Sequence, residues 1–411
     1  MRLKSLTSIE FDEFAKNFDN SNFYQTSNYA LLMGEHGYDF DYIGLIDDSD
    51  NIVAGSMILF KKIKGRISYG YAPNGFLIDY SNQELVEEFS KEIKSYYSNK
   101  DVAFIKVNPL IVTGILDDSQ KEFVKTEGIY YKDYLVSNRY LKLKNNLYFE
   151  SSLPRFDAFI DLKNTSLEIY SKNTRNKIRK SIKRGLVFQK AKLKEFDYLL
   201  NMFPKDIKAD NYYYKDMYNI FEKSDSIDVF LVKVDYEEYL INSRIEYDKE
   251  IERNTKLNEK LIKYPTESVI TEKMNSDRIV LSYKNDILEG TKGLKDDKDE
   301  FVAGAIVVKY KNTAYIVSSW YDPNNAKFDA NYFLHYNLIE YYKEDFEFLG
   351  LNGLTGDLSE KNPYKGLNDF KLGFKPLAFE YIGEFDLIVN YNEYVTLQEN
   401  NLLAAEFNKK A

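Results

Sequence analysis

A run of basic residues in the middle of the sequence is the first feature that suggests chemistry. From Ser171 to Lys194 the chain reads SKNTRNKIRKSIKRGLVFQKAKLK, with ten Lys or Arg residues and no acidic residue. On a helix, Arg175 and Arg179 lie on one face. Like charges at this density repel one another from turn to turn, and a polyanion such as RNA would relieve that repulsion. The run is therefore a candidate polyanion-binding helix, and a solvated surface helix is the alternative.

Composition excludes several other kinds of active site. The sequence has no cysteine and two histidines, so disulfides, thiolate metal sites and cysteine nucleophiles are ruled out. A histidine metal centre or a Ser-His-Asp triad would have to use His36 or His335. His36 lies in a Gly-Glu-His-Gly turn, where we expect it to be exposed, and His335 falls in a helical pattern, where packing or solvation is the commoner outcome. We therefore expect neither a metal nor a redox cofactor.

The overall composition is that of a globular chain with a negative balance of charge. Hydrophobic residues make up 44% and charged residues 29% of the 411 positions, and the formal net charge is −9. This balance argues against indiscriminate nucleic-acid binding, so the basic run is a local exception. The length predicts two or three domains. No stretch approaches the ~18 apolar residues of a membrane span, so we expect a cytoplasmic protein, held at most peripherally at the inner membrane face.

One strand–turn–strand phrase occurs twice in the sequence, and it predicts part of the framework that positions the basic run. Residues 51–73 read NIVAGSMILFKKIKGRISYGYAP, and residues 301–323 read FVAGAIVVKYKNTAYIVSSWYDP. Each phrase predicts a β-hairpin, and each is followed by a helical pattern, at 83–98 and 331–343, and then by a short apolar strand. The repeat predicts a mixed α/β fold built from two copies of one domain. Chance recurrence of Val-Ala-Gly is the alternative.

A charged stretch interrupts the second copy. From 236 to 300, Glu, Lys, Asn and Asp alternate densely around a sparse apolar stripe, and Tyr264-Pro265 divides the pattern. This predicts an inserted helical hairpin, with a charged and partly disordered insert as the alternative. The expected domains are residues 1–150, residues 151–235 together with 301–411, and the inserted arm at 236–300.

A duplicated α/β unit raises the question of acyl transfer from coenzyme A. Such enzymes cradle the pyrophosphate with backbone N–H groups of a glycine-rich loop. The corresponding segments here, Ala72-Pro-Asn-Gly-Phe and Pro323-Asn-Asn-Ala-Lys-Phe-Asp, are not glycine-rich. A coenzyme A donor is therefore disfavoured, and an acyl donor would have to be held in another way.

Several short sequence phrases follow one another along the chain in a specific order. They are Tyr24-Gln-Thr-Ser-Asn-Tyr29, Tyr71-Ala-Pro-Asn-Gly-Phe-Leu-Ile-Asp79-Tyr80, Thr174-Arg-Asn-Lys-Ile-Arg-Lys180, Tyr213-Tyr-Lys-Asp-Met, Lys327-Phe-Asp-Ala-Asn-Tyr-Phe-Leu334, Tyr364-Lys-Gly-Leu-Asn-Asp-Phe-Lys371-Leu-Gly-Phe374 and Tyr381-Ile-Gly-Glu-Phe-Asp386. With them the chain resembles, over nearly its whole length, the Fem/MurM group of peptidoglycan-precursor aminoacyltransferases. The resemblance implies two GNAT-like acyltransferase domains with a coiled-coil arm. It also implies transfer of an amino acid from aminoacyl-tRNA to the stem-peptide amine of a lipid-linked or UDP-linked precursor.

The resemblance points to site residues as well. In the family, the Lys of a Phe-Lys-x-x-Phe motif lies near the reacting carbonyl and corresponds to Lys371, where a positive charge would stabilise the developing oxyanion; a surface lysine is the alternative. Asp79 is expected to position the amine or act as a base, with turn capping as the alternative. The expected substrate contacts are Tyr71, Asn74, Tyr213, Tyr214, Tyr364 and Phe374, and the expected tRNA contacts are Arg175, Lys177, Arg179, Lys180 and Lys183.

Two departures from the family pattern leave alternatives open. Met33 stands where relatives often carry Lys, and Ala209 stands where they carry Arg; both basic positions are associated in relatives with the precursor diphosphate. Either other residues hold that group, with Lys61, Lys62 and Lys64 as candidates, or the acceptor differs, or the chain is a diverged, non-catalytic scaffold or RNA-binding relative. Coenzyme A-dependent acylation is a weaker option. The sequence predicts no oligomeric state.

Overall fold

Two β-sheets form the framework of the protein. The computed structural model describes residues 1–119, 121–150, 152–191, 193–202, 211–296, 299–400 and 402–403. The strands in these ranges are β1 (Arg2–Ser5), β2 (Asp39–Ile46), β3 (Ile52–Lys64), β4 (Ile67–Ala72), β5 (Val102–Val107), β6 (Val112–Asp117), β7 (Glu122–Lys125), β8 (Tyr140–Lys142), β9 (Phe156–Asp161), β10 (Leu186–Lys190), β11 (Ile227–Val234), β12 (Glu300–Tyr310), β13 (Thr313–Tyr321), β14 (Phe348–Gly350), β15 (Leu377–Tyr381) and β16 (Phe385–Ile388).

Helices connect the strands. They are α1 (Ser8–Asn17), α2 (Ser27–Glu35), α3 (Gln83–Tyr97), α4 (Tyr131–Ser137), α5 (Lys172–Ile182), α6 (Phe196–Met202), α7 (Asn211–Phe221), α8 (Tyr236–Lys263), α9 (Glu267–Asp296), α10 (Ala330–Tyr342), α11 (Lys365–Leu372) and α12 (Tyr391–Glu399). The predicted mixed α/β class is thus confirmed. Across the ranges that the structure describes, every helix is too short or too polar to cross a membrane.

The two sheets repeat one pattern of strands. The first has the order β1-β2-β3-β4-β5-β16-β8, and the second has the order β10-β11-β12-β13-β14-β9-β15-β6-β7. In each, three antiparallel pairings lead into one parallel pairing, β4 with β5 and β13 with β14. A parallel pair needs a crossover connection, and α3 and α10 provide it. Both predicted hairpins, β3–β4 and β12–β13, are present.

Strands are exchanged between the sheets. β6 and β7 precede residue 150 but lie in the second sheet beside β15, whereas β16, near the end of the chain, lies in the first sheet between β5 and β8. The division of the chain into two domains at residue 150 therefore stays a prediction. Neither residues 1–150 nor the rest of the chain provides all the strands of one sheet.

A shared apolar core joins the two halves. Phe11 and Phe23 of the first half and Phe221 and Ile306 of the second are all at most 2% exposed and belong to one cluster. The rings of Phe23 and Phe221 meet edge to face at 6.4 Å. Burial of this kind contributes roughly 25 cal/mol per Å² of apolar surface, so the halves pack as one body.

The inserted stretch consists of the two long helices α8 and α9, and these run antiparallel. Near their bases Tyr239 donates its hydroxyl to Asp286 Oδ1 at 2.8 Å, and further out Asn254 donates to Ser276 Oγ at 3.0 Å. Residues 264–266 join the helices. The apolar contacts between them are sparse, with Leu240 and Leu257 among the buried residues of α8, as the polar composition requires.

The basic helix is shorter than the sequence suggests. The pattern predicts a helix from 165 to 185, but α5 begins at Lys172 because Ser171 caps it, with its Oγ accepting from Thr174 N at 3.2 Å. Ser and Thr side chains at such positions satisfy N–H groups that the first turn leaves without partners. The preceding residues instead form turns.

Candidate active site in a groove between the two sheets

Three adjoining clefts form one groove along the junction of the sheets. The first, of about 870 Å³, is lined by the segment from Asn74 to Tyr80 and by β6. The central cleft, of about 200 Å³, shares Asn74 with the first and Asn352 with the third. The third, of about 440 Å³, is lined by β13 and α11. A groove built from both halves of a protein is a common place for a ligand site.

Lys371 lies in the third cleft, on the last turn of α11. Its Nζ donates to the carbonyl oxygens of Asn352 at 3.2 Å and Gly353 at 2.6 Å, and the side chain is partly buried. Burial lowers the pKa of Lys371 to about 8, and the nearby charge of Asp157 opposes part of that shift. The ammonium is therefore held on the groove wall rather than in bulk solvent.

A buried polar network holds α11 in place. Asn368, which is 3% exposed, accepts from Thr355 N at 3.0 Å and donates to Thr355 O at 3.0 Å. On the other face Phe370 packs edge-on against His335 at 4.8 Å. Because buried amides with satisfied partners hold their geometry tightly, Lys371 projects from a rigid helix.

Phe374 lies beneath the groove and not in it. Its side chain is fully buried and stacks near Tyr332 and Tyr170, with ring centroids 6.1 and 5.3 Å away. His335 is buried beside it, and burial lowers the pKa of His335 to about 4. Phe374 was expected to contact substrate, and in this position it supports α11 through packing.

Asp79 lies in an exposed turn at the first cleft. Its Oδ1 accepts from Ser81 N at 2.9 Å and from Ser81 Oγ at 2.6 Å. These hydrogen bonds lower the pKa of Asp79, which makes it a weaker base. Lys371 lines a different cleft, so the structure does not bring the two expected catalytic residues together. Asp79 caps its turn.

Asp157 on β9 is a partly buried carboxylate of the groove. It lies in the central cleft, where its Oδ1 accepts from Ala158 N at 2.8 Å. Burial raises the pKa of Asp157 to about 6, while Lys371 works in the opposite direction. Asp157 was missed from the sequence. The available signal was the alternation Phe-Asp-Ala-Phe-Ile-Asp, which places Asp157 and Phe159 on the face opposite the core.

Three tyrosines line the same cleft as Asp157. They come from different elements: Tyr24 from the segment before α2, Tyr315 from β13 and Tyr381 from β15. All three are partly buried, and burial together with the charge of Asp157 raises the pKa of each hydroxyl. The tyrosines are therefore neutral at physiological pH.

The other expected substrate residues are divided between the groove and its surroundings. Asn74 lines two clefts; its backbone N–H donates to Asn108 Oδ1 at 2.9 Å, and its Oδ1 accepts from Asn108 Nδ2 at 2.8 Å. Tyr213 and Tyr214 on α7 lie close enough to Tyr24 to affect its pKa. Like Tyr213 and Tyr214, the remaining two lie outside the linings of the three clefts: Tyr71 is partly buried on β4, and Tyr364 is exposed beside Phe149.

Most charges of the basic helix already have partners within the chain. Lys177 and Lys180 contact Asp329 at 2.6 and 3.4 Å, and Lys183 contacts Glu246 of the inserted helices at 3.2 Å. Arg175 donates to the carbonyl oxygens of Glu168 and Tyr170 at 2.8 and 2.7 Å. Arg179 is exposed. The local field is consequently weaker than the sequence suggests, and tRNA binding by this helix stays a prediction.

The positions that depart from the family pattern can be located only in part. Met33 lies on α2, partly buried against the shared core, and Ala209 lies outside the described residues. Lys61 and Lys62, two of the candidate diphosphate ligands, line a separate cleft of about 370 Å³ with Tyr97 and Lys100. That cleft shares no lining residue with the cleft that contains Lys371.

Comparisons with known proteins agree on one family. A sequence model described as the FemAB family matches residues 6–400. An aminoacyltransferase FemB of Staphylococcus epidermidis (strain ATCC 12228 / FDA PCI 1200) is 25% identical over 424 residues, covering 96% of each chain. An aminoacyltransferase FemA of the same species (strain RP62A) is 24% identical, covering 97% of this chain and 99% of its own. A crystal structure of FemX superposes with a TM-score of 0.71 at 19% identity, covering 97% of this chain and all of that one.

Proposed function

Because this chain belongs to the FemAB family, we propose that it is an aminoacyltransferase that moves an amino acid from aminoacyl-tRNA to the stem-peptide amine of a peptidoglycan precursor. The observation that carries the proposal is the position of Lys371, whose ammonium is held on the wall of a groove between two sheets. Relatives that match nearly the whole chain are named aminoacyltransferases. The identity of the donor, aminoacyl-tRNA, and that of the acceptor, the precursor amine, are both part of the proposal.

The chemistry needs few groups because the donor is already an activated ester. A neutral amine attacks the ester carbonyl, and negative charge develops on the carbonyl oxygen. Lys371, with a pKa of about 8, keeps most of its positive charge at pH 7 and can stabilise that oxygen. A charge in a partly dehydrated groove acts more strongly than the same charge in water. The proposed reaction uses no metal or redox cofactor.

A transfer assay tests the function directly. Purified protein is incubated with a mixture of aminoacyl-tRNAs that carry labelled amino acids, and with UDP-linked and lipid-linked precursors in separate reactions. We expect label in one precursor, in an amide bond that survives mild base, whereas the tRNA ester does not. Absence of labelled product with both acceptors would contradict the proposal and favour a non-catalytic relative, for which the uncharged residues Met33 and Ala209 in the sequence are the motivating observation.

We also propose that each sheet belongs to a GNAT-like domain. The support is the shared order of antiparallel strands followed by one parallel pair in both sheets. In this interpretation residues 1–150 and residues 151–235 with 301–411 are the two copies, and 236–300 is an arm. The exchanged strands β6, β7 and β16 then join the copies.

Binding of tRNA is expected to depend on Arg179 more than on its neighbours. Arg179 is exposed on α5, whereas Lys177, Lys180 and Lys183 contact carboxylates. Replacing Arg179 by Glu should weaken tRNA binding and reduce the slope of log K against log salt by about one. Filter binding at several salt concentrations measures both.

Lys91→Glu on α3, which changes the charge equally at another exposed position, is the matched control. Arg175 is a poorer test because it donates to two carbonyl oxygens of the chain. Equal tRNA affinity and equal salt slope for the Arg179 and Lys91 variants would show that α5 is only a solvated surface.

A further inference from the structure

The central cleft combines the partly buried carboxylate of Asp157 with aromatic hydroxyl groups; the second carboxylate of its lining, Asp19, is exposed. Asp157 shares this lining with Tyr24, Tyr315 and Tyr381, and with Asn352, whose carbonyl oxygen accepts from Lys371 Nζ at 3.2 Å. The volume of about 200 Å³ is below the roughly 300–1,000 Å³ of sites for drug-sized ligands. The cleft therefore suits the end of a side chain and not a whole nucleotide.

The chemistry of the lining favours a cation. A partly buried carboxylate attracts positive charge, tyrosine rings interact favourably with ammonium groups, and tyrosine hydroxyls accept hydrogen bonds from them. The pKa values of the tyrosines are raised, so these hydroxyls stay protonated and add no competing negative charge. A phosphate or carboxylate ligand would be repelled by Asp157.

The neighbouring lysine affects the protonation of such a ligand. Lys371 Nζ donates to the carbonyl oxygens of Asn352 and Gly353, and its charge acts on Asp157. A second positive charge nearby disfavours an ammonium and favours the neutral amine. The cleft thus offers both an attraction that brings an ammonium in and an electrostatic reason for it to lose a proton next to a carboxylate.

We propose that the central cleft binds the primary amine of the acceptor and that Asp157 is the catalytic residue that removes its proton. This inference rests on the proposed function, which supplies an acceptor amine and an ester donor. It assigns to Asp157 the role that the sequence suggested for Asp79, whose carboxylate is occupied in an exposed turn.

The proton balance of the step is simple. One N–H bond of the ammonium breaks and its proton passes to Asp157. The nitrogen lone pair then forms a C–N bond with the ester carbonyl carbon, and Lys371 faces the resulting oxyanion. The C–O bond to the ribose breaks as the oxyanion collapses, and the ribose oxygen takes a second proton from the nitrogen. Asp157 finally returns its proton to water, so the net release is one proton for each amide formed.

Binding of a simple amine tests the site without any transfer. The probe is n-butylammonium, with butan-1-ol as the uncharged comparison, titrated into the full chain by saturation-transfer NMR. We expect wild type to prefer n-butylammonium and Asp157→Asn, which can still accept from Ala158 N, to bind it at least tenfold more weakly. Asp161→Asn, a change on the same strand at a residue outside the cleft, should bind like wild type. Equal affinity in all three proteins would overturn the amine site.

Transfer kinetics test the proton step. In the assay with aminoacyl-tRNA and precursor, Asp157→Asn should lower kcat/KM at least a hundredfold, and Asp157→Glu should recover part of it. In wild type, kcat/KM should rise through pH 6 as Asp157 ionises, and this limb should be absent in Asp157→Asn. The titratable groups around Asp157 are Asp19, Tyr24, Tyr315, Tyr381 and Lys371. Unchanged kcat/KM in Asp157→Asn would overturn the catalytic role.

The two assays separate failure of this inference from failure of the proposed function. If wild type binds n-butylammonium through Asp157 but transfers to neither precursor, the amine site stands and the proposed function fails. If wild type transfers and Asp157→Asn transfers equally well, the function stands and the inference fails. Thermal unfolding of each variant shows whether a loss comes from misfolding, and Asp157→Glu then provides the second measurement at the same position.

Discussion

Replacing Lys371 by Met should abolish most amino-acid transfer while leaving the fold intact. Methionine fills a similar volume but carries no charge, so the developing oxyanion loses its positive neighbour. Loss of one such stabilising group costs roughly 10²–10³-fold in kcat. We expect a loss in that range with precursor and tRNA affinities little changed, measured by single-turnover kinetics and by binding assays.

The matched control is Lys365→Met on the same helix. Lys365 Nζ contacts Asp369 at the surface of α11 and lies outside the clefts lined by Lys371 and Asp157. The Lys365→Met substitution changes the net charge and the composition of the helix in the same way as Lys371→Met, and we expect normal transfer. Comparable transfer by the Lys371→Met protein and wild type would remove Lys371 from the reaction.

The pKa of Lys371 also predicts the sign of the change in stability when Lys371 is replaced by Met. The pKa of Lys371 is about 8 in the folded protein, below the roughly 10.4 of an exposed lysine. The folded state thus binds this proton less tightly than the unfolded state, and the charged lysine disfavours folding below pH 8. That penalty disappears as the pH rises through the unfolded pKa. At pH 7 Lys371→Met should therefore unfold at the same or a higher temperature, and the advantage should vanish above pH 10.5.

Sequence patterns predicted the elements whose contacts lie within one short stretch of the chain. The repeated Val-Ala-Gly phrases gave both hairpins because alternation and turn residues lie within one stretch of chain. The family resemblance, through its Phe-Lys-x-x-Phe motif, pointed to Lys371, and Lys371 lines the groove. The alternation of β9 indicates only that Asp157 faces away from the core, which is not enough to single it out as a site residue. Its environment comes from Tyr24, Tyr315 and Tyr381, which are brought to it only by the fold.

The electric field around the basic helix could not be judged from the sequence for the same reason. Its one-signed charge is evident in the sequence, but the acidic partners Asp329 and Glu246 are more than sixty residues away. The exchange of β6, β7 and β16 between sheets is likewise a matter of long-range pairing. In each case the contacts that decide the outcome join distant parts of the chain.

The glycine of the Phe-Lys-Leu-Gly-Phe motif yields the second large prediction. Gly373 ends α11 in a helical conformation, so it is needed for space and not for an unusual φ. A Cβ added there would collide with Thr174 Oγ1 of α5 and lie 3.0 Å from Asp369 O. Thr174 is 1% exposed and cannot move away easily. Gly373→Ala should therefore push α11 from α5 and lower the free energy of unfolding by about 1–3 kcal/mol.

Transfer should fall more steeply than stability in this variant. Lys371 is two residues from Gly373, and a displacement of about 1 Å in a catalytic group can cost roughly 10²-fold in rate. Gly366→Ala is the matched control for stability, because no atom lies within 4 Å of a Cβ at that position on the same helix; we expect it to be at least as stable as wild type. Gly366 lines the third cleft, so transfer by Gly373→Ala is compared with wild type. Denaturant unfolding and the transfer assay measure the two effects. A Gly373→Ala protein as stable as Gly366→Ala and as active as wild type would show that α11 tolerates the shift, and that the rate does not depend on the contact between α5 and α11.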